Sequence, residues 1–271
     1  MTAPQAPATP EERAAQHVFK ARSANTAGER IDVSYRPTTV EQGLAVQRLV
    51  TALLLSQPTG SGPRSTAHGI GGWKCSLPTA ERSISAAPIL ASSIQHGSHC
   101  RLVPRAGMAP VEPEIAFELA HDLPPRDLPY SEAEIRAAVG RTRLVLELIA
   151  SRYVEPVVSF PEMLADHVSN QGLYVGPVVE HGTDLALARI DLQISAGTTT
   201  LDKEGKHPDG NPLLPLYWLA NFLRTSGEGL AAGQIVTTGS YAGIVTVPLD
   251  STVTIRFGDL GRIETVFEAS A

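Results

Sequence analysis

Val111-Glu112-Pro113-Glu114-Ile115-Ala116-Phe117-Glu118 is the stretch around which the chain is organised. Read as a strand, its side chains alternate between two faces. Val111, Ile115 and Phe117 fall on an apolar side, and Glu112, Glu114, Ala116 and Glu118 on the other. Two acids two residues apart in a strand stand about 6.5–7 Å apart at the backbone. Glutamate side chains can close that gap onto one hard cation, whose oxygen ligands lie roughly 2.0–2.6 Å from the metal. A strand with one wet, acidic face, such as antiparallel sheets often show, explains the same pattern without a cation.

Working outward, Glu147 is the lone charge in the apolar run Leu144-Val145-Leu146-Glu147-Leu148-Ile149-Ala150. A carboxylate buried there must neutralise, pair with a cation such as Arg143 or Arg152, or bind a metal. Upstream, Lys74 stands in Gly69-Ile70-Gly71-Gly72-Trp73-Lys74-Cys75-Ser76-Leu77-Pro78, whose glycines permit a sharp turn or a close approach. It reads as a lysine snorkelling at a strand edge, as a cation beside an anionic substrate, or as a proton donor with a lowered pKa. Downstream, the strand 233–238 ends in Gly239-Ser240-Tyr241-Ala242-Gly243, a loop able to offer N–H and hydroxyl donors to a carboxylate, or an ordinary tight turn.

The remaining chain supplies scaffold. Thr9-Pro10-Glu11-Glu12 and Thr38-Thr39-Val40-Glu41 read as capping boxes that open helices. The second helix carries an apolar stripe of Val46, Leu49, Val50, Leu53 and Leu54. Residues 57–64 read as an exposed loop. Ser131-Glu132-Ala133-Glu134 caps another helix, which runs into Leu144–Arg152. Asp166-His167-Val168-Ser169-Asn170-Gln171-Gly172 is a polar turn before a strand at 173–178, and 185–195 alternates like another. Residues 198–209 read as a surface loop with His207 and Asp209 solvated. Asn211-Pro212 then caps a long helix to Arg224, and a hairpin around Gly258-Asp259-Leu260-Gly261 closes the chain.

The 271 residues can build a substantial core, and 42% apolar with 18% charged residues is a globular composition. A net charge of −6 without a basic cluster argues against a nucleic-acid or anionic-membrane surface. No apolar run approaches the ~20 residues that span a bilayer. The Ala/Pro-rich start lacks the layout of a signal peptide, so a cytoplasmic protein is expected. Cys75 and Cys100 belong to no CxxC pair and read as small buried residues.

Several stretches together resemble one family: Gly72-Trp73-Lys74, Val111–Phe117, Leu146–Arg152, Asp166–Ser169, Trp218-Leu219-Ala220-Asn221 and Gly229–Ser240. In this order, from about residue 40 to the C-terminus, they resemble the 2-keto-4-pentenoate hydratase / 4-oxalocrotonate decarboxylase branch of the fumarylacetoacetate hydrolase superfamily. The resemblance implies an α+β fold: a mixed β-sandwich roll with flanking helices and a smaller helical N-terminal part. Residues 1–8 would be a flexible tail, 9–100 the mainly helical part leading into the lysine strand, and 101–271 the catalytic domain.

It further implies Mg²⁺ or Mn²⁺ held by Glu112, Glu114 and Glu147, with Lys74 as the active-site lysine. Ser169, Gly239 and Ser240 would line the substrate site beside Lys74. The implied activity is that of a lyase on a small 2-keto or 2-hydroxydienoic acid, through an enolate whose charge the cation stabilises. Hydration of 2-hydroxypenta-2,4-dienoate stands first and decarboxylation of 4-oxalocrotonate second. Acylpyruvate hydrolysis, or a catalytically silent subunit partnering an active lyase, follows. A homo-oligomer is also implied. One departure bears on this order: hydratases usually carry an acid shortly after the lysine motif, and residues 83–90 here have none. The usual Lys-x-Gly-Leu-Thr is likewise Lys74-Cys75-Ser76-Leu77-Pro78.

Overall fold

The structure, a computed structural model, describes residues 8–57 and 69–270. The expected tail (apart from Ala8) and most of the expected loop at 57–64 lie outside the described residues. The helices are α1 (Pro10–Ser23), α2 (Val40–Ser56), α3 (Glu132–Ala138), α4 (Phe160–Ala165) and α5 (Leu213–Thr225). The strands begin with β1 (Ile70–Cys75), β2 (Ala86–Leu90), β3 (Ile94–Gln95), β4 (His99–Leu102), β5 (Met108–Leu119) and β6 (Val139–Ile149). They continue with β7 (Asn170–Val179), β8 (Leu192–Ala196), β9 (Thr199–Lys203), β10 (Ile235–Ser240), β11 (Val245–Pro248), β12 (Thr252–Phe257) and β13 (Arg262–Ala269).

The chain forms two units. One comprises Met1–Gly60, Thr79–Ile84 and Ser151–Ser169; the other holds Ser61–Pro78, Ser85–Ala150 and Asn170–Ala271. β1 lies parallel to β10, so the lysine strand pairs with a strand from the far end of the chain.

In the helical unit, Thr9 and Glu12 close a capping box as expected, Glu12 N–H donating to Thr9 Oγ1 and Thr9 N–H to Glu12 Oε2. The α2 box sits one residue later than read from the sequence: Thr39 pairs with Gln42, not Thr38 with Glu41. Gln42 Oε1 accepts from Thr38 and Thr39 together, which a box one residue earlier would forgo. Ala14, Ala15 and Val18 of α1 pack with Val46 and Val50 of α2 and with Ile31, Tyr153 and Ala165.

The second unit is built from two sheets. The larger runs β2-β1-β10-β5-β6-β7-β3 with β11 also on β5, and the smaller runs β4-β13-β12-β8-β9. Val111, Ile115 and Phe117 of β5 share one core with Phe257 of β12, Ile263 and Phe267 of β13, and Leu216, Leu219 and Leu223 of α5. The opposite face of β5 is not simply wet, because Ala116 is buried with Ile89, Val145, Leu173, Val175 and Ile235. Dry on one side and half-dry on the other, β5 brings its glutamates into the protein.

Three expectations change here. α3 ends after seven residues, and the run expected to continue as helix is β6, held between β5 and β7. An aliphatic run of this length suits either state, and lateral pairing decides it. The strand expected at 185–195 is confined to β8. Part of the expected loop at 198–209 is β9, an exposed edge strand whose polar residues disguise it.

Gly72 joins the lysine strand to its neighbour. A Cβ there would stand 2.2 Å from the Ile235 carbonyl oxygen of β10. Gly72→Ala is expected to push β1 from β10 and destabilise the protein by about 1–3 kcal/mol, lowering Tm. An unchanged Tm would show that the strands part without cost.

Candidate metal centre

Strand register builds the site. Glu112 of β5 is the direct cross-strand partner of Glu147 on β6, which places their Cβ atoms about 4.5–5.5 Å apart. Glu114 follows on the same face of β5, opposite Ser240 of β10. One oxygen from each of Glu112, Glu114 and Glu147 lies within 4.8 Å of the others. Glu114 and Glu147 are 2% and 1% exposed, and Glu112 is half-buried.

Each acid is held. Lys74 Nζ lies 2.6 Å from Glu147 Oε1, which also accepts from Asn170 Nδ2 at 2.9 Å. Glu114 Oε2 accepts from the Thr237 hydroxyl and from the Gly239 N–H at 2.9 Å. β10 thus supplies two donors to Glu114, while β1 and β7 supply a cation and an amide to Glu147.

Electrostatics test whether a dication suits these residues. Like charges no more than 4.8 Å apart repel by at least roughly 3–4 kcal/mol at an effective dielectric of about 20. One ammonium, 2.6 Å from Glu147, offsets only one of the three charges. Burial, then the Glu147 charge, pushes Glu112 up to about 7. Burial, then Glu147 and Glu112, pushes Glu114 up to about 8. Burial pulls the Lys74 ammonium down, yet the three carboxylates outweigh it and its pKa rises, against the lowered value considered from the sequence. Three hard oxygen donors carrying two charges beyond what Lys74 offsets fit a divalent cation.

The sign of the pH effect follows. Glu112 and Glu114 hold protons more tightly folded, at about 7 and 8, than at the ordinary 4.5. The native state therefore binds more protons than the unfolded one between these values, and metal-free stability falls as pH rises from about 5 to 8. A bound dication displaces those protons, so apparent Mg²⁺ affinity is expected to rise over the same window. Thermal melts at several pH values, with and without Mg²⁺, check both slopes; parallel, pH-independent curves would contradict them.

The other sequence-predicted residues are placed as follows. Ser240 Oγ bonds the Gly243 carbonyl at 3.1 Å and accepts from Ala242 N–H at 3.3 Å, closing its own turn. Ser169 belongs to the helical unit, where a left-handed backbone (φ 60°) follows His167 and Val168 in the same conformation. Arg143, one partner considered for Glu147, pairs instead with Glu118 at 2.6 Å. Cys75 and Cys100 are buried as expected.

Sequence reading missed Asn170, Thr237 and His207. Asn170 reads as part of a turn and Thr237 as part of an ordinary strand; neither bears a signal until β6 and β5 lie beside them. His207, expected in solvent, is fully buried, and burial lowers its pKa. Asp209 accepts the Leu77 N–H at 3.1 Å.

No family model matches the chain. The 2-keto-4-pentenoate hydratase of Paraburkholderia xenovorans (strain LB400) is 29% identical over 163 residues, 59% of either chain. A 4-oxalocrotonate decarboxylase of a Pseudomonas species is 28% identical over 153 residues, 56% of this chain and 58% of that one. The chain thus spans about three fifths of the length of the curated relatives it matches, 59% for the first. Among solved structures, the 4-oxalocrotonate decarboxylase from Pseudomonas putida G7, complexed with magnesium and adipate, superposes with a TM-score of 0.75. That match is 17% identical and covers 95% of this chain and 97% of the other, a likeness of fold. The expected mixed β-sandwich roll is therefore this chain's architecture. Among the described residues, no helix is long and apolar enough to cross a membrane.

Proposed function

We propose that this chain is a divalent-metal-dependent lyase acting on a small 2-keto or 2-hydroxydienoic acid, with hydration of a 2-hydroxypenta-2,4-dienoate as its reaction. The observation that carries this reading is the convergence of Glu112, Glu114 and Glu147 with Lys74 paired to one of them. The sequence likeness to 2-keto-4-pentenoate hydratases supports the same chemistry.

Glu112, Glu114 and Glu147 would hold Mg²⁺ or Mn²⁺. When bound, the ion supplies Lewis-acid charge where negative charge develops on a 2-oxo acid. The rest falls to the chain. Glu114 is kept in place by Thr237 and Gly239, and Glu147 by Asn170, which limits the freedom of both carboxylates. Lys74, with its raised pKa, is an ammonium at neutral pH. It can hold the substrate carboxylate or deliver a proton during ketonisation, and cannot serve as a base until it has lost one. Gly239 and Ser240 are proposed to line the substrate site; the Gly239 N–H is already engaged by Glu114, which gives that glycine a supporting role as well.

Decarboxylation is the second reading, favoured by a specific observation. β2, which follows the lysine strand, is Ala86-Ala87-Pro88-Ile89-Leu90 and carries no acid to activate water. Product analysis separates the readings, using a 2-hydroxydienoate with and without a C6 carboxylate. A 4-hydroxy-2-keto acid marks hydration, released CO₂ decarboxylation, and pyruvate plus a second acid hydrolysis. No turnover with Mg²⁺ or Mn²⁺ on either compound would overturn the proposal and favour a silent subunit. A homo-oligomer belongs to the proposal through the family resemblance.

A further inference from the structure

His207 is buried although its segment, Lys206-His207-Pro208-Asp209, follows an exposed edge strand. The segment is fastened at both ends. Lys206 N–H donates to the Tyr241 carbonyl at 3.1 Å and His207 N–H to the Ala188 carbonyl at 2.9 Å. His207 Nδ1 accepts the Asp209 N–H at 3.2 Å, which leaves the neutral ring's hydrogen on Nε2. Nε2 is enclosed, the Thr238 backbone hydrogen-bonds to the ring, and the ring stands edge-on to that of Tyr241 with 5.4 Å between centroids.

The ring also lies against Gly239, whose φ is +129°. A Cβ on that glycine would lie 2.8 Å from Pro208 Cγ and 3.4 Å from His207 Nε2. The imidazole and the proline therefore lie against the Gly239 Cα, on the residue whose N–H reaches Glu114. Two residues on, Asp209 Oδ2 accepts the Leu77 N–H at 3.1 Å, three positions beyond Lys74. One short segment thus grips the ends of two strands: β10, which holds Glu114, and β1, which carries Lys74.

We infer that His207 and Asp209 are positioning residues, His207 seating Gly239 and so the amide on Glu114, and Asp209 seating Leu77 and so the strand end that bears Lys74. The inference rests on the acidic cluster being the working site, and its test keeps the two apart.

Hydrogen exchange of single amides in the metal-free full chain is measured beside Mn²⁺ binding. His207→Asn retains an acceptor near the Nδ1 position but removes the ring over Gly239; it is expected to speed exchange of the Gly239 amide at least tenfold. Asp209→Ala should do the same to the Leu77 amide, and Asp209→Asn, whose carbonyl still accepts, should restore protection. The Mn²⁺ dissociation constant should rise about tenfold in His207→Asn and Asp209→Ala, the lower end of the 10–100-fold range for groups behind a ligand. Unchanged exchange at both amides would overturn the inference, as would a uniform rise across all sheet amides, the mark of mere loss of stability. If the wild type takes up no Mn²⁺, the proposed function fails, and amide exchange alone decides the positioning role.

Discussion

Replacing Glu114 by Gln is expected to cost about 10³-fold in turnover of a 2-hydroxydienoate and more than about 100-fold in Mg²⁺ affinity. The fold should survive, because the carboxamide oxygen can still accept from the Thr237 hydroxyl and the Gly239 N–H. Stability in the absence of metal should in fact improve. Glu114 is 2% exposed, and its ionised form is opposed by burial and by two neighbouring carboxylates. Removing that charge relieves the cluster, and at pH 8 the metal-free variant should gain on the order of 1–3 kcal/mol. The informative pattern is the pair of opposite signs: a higher Tm without metal, and no further rise on adding Mg²⁺. A variant that turns over like the wild type, or whose Tm still climbs with Mg²⁺, would remove Glu114 from the site.

Lys74→Met should separate chemistry from metal binding. The methionine keeps much of the aliphatic stem and deletes the ammonium 2.6 Å from Glu147. Without metal, Glu147 is left 1% exposed and without that cation, a loss of about 3–5 kcal/mol of the kind seen when one partner of a buried pair is removed. Mg²⁺ should restore much of it, and Mg²⁺ affinity should hold or rise, since the ammonium competes for the same carboxylates. Turnover should nevertheless fall by about 10²–10⁴-fold, the usual range for a lost proton-transfer group. Weaker Mg²⁺ binding with unimpaired turnover of the residual holoenzyme would mean that Lys74 serves the site's assembly alone. Together the two variants dissect the cluster: one abolishes the ion's seat, the other the proton beside it.

Glu147 and Lys74 stand out locally as charges in apolar or uncharged surroundings, while the family resemblance joins them to Glu112 and Glu114 as one candidate site. Glu147 interrupts six aliphatic neighbours, and Lys74 stands in a glycine-rich, nearly uncharged strand. Such local contradictions mark functional sites from sequence. The residues that hold them were not legible, because nothing contradicts an Asn before a strand, a Thr within one, or a His in a polar segment. Their roles arise from partners 23 positions away for Asn170 and 123 for Thr237. The same limit explains β6 and β9. An aliphatic run and a polar run each read ambiguously alone, and their state was chosen by the strands they meet.

Taken by itself, the sequence determined that three glutamates and a lysine had to be accommodated somewhere, and that β5 would alternate with its acids on one face. It also determined the first and third helix starts, because a capping box is a contact over three residues. Tertiary structure alone decided that Glu112 lies opposite Glu147, that Glu114 takes its donors from β10, and that Lys74 reaches Glu147 across two intervening strands. A one-residue slip between β5 and β6 would turn Glu147 to the opposite face with every side chain beside it. Register is set by the summed packing of both sheet faces, and no window of sequence contains that sum.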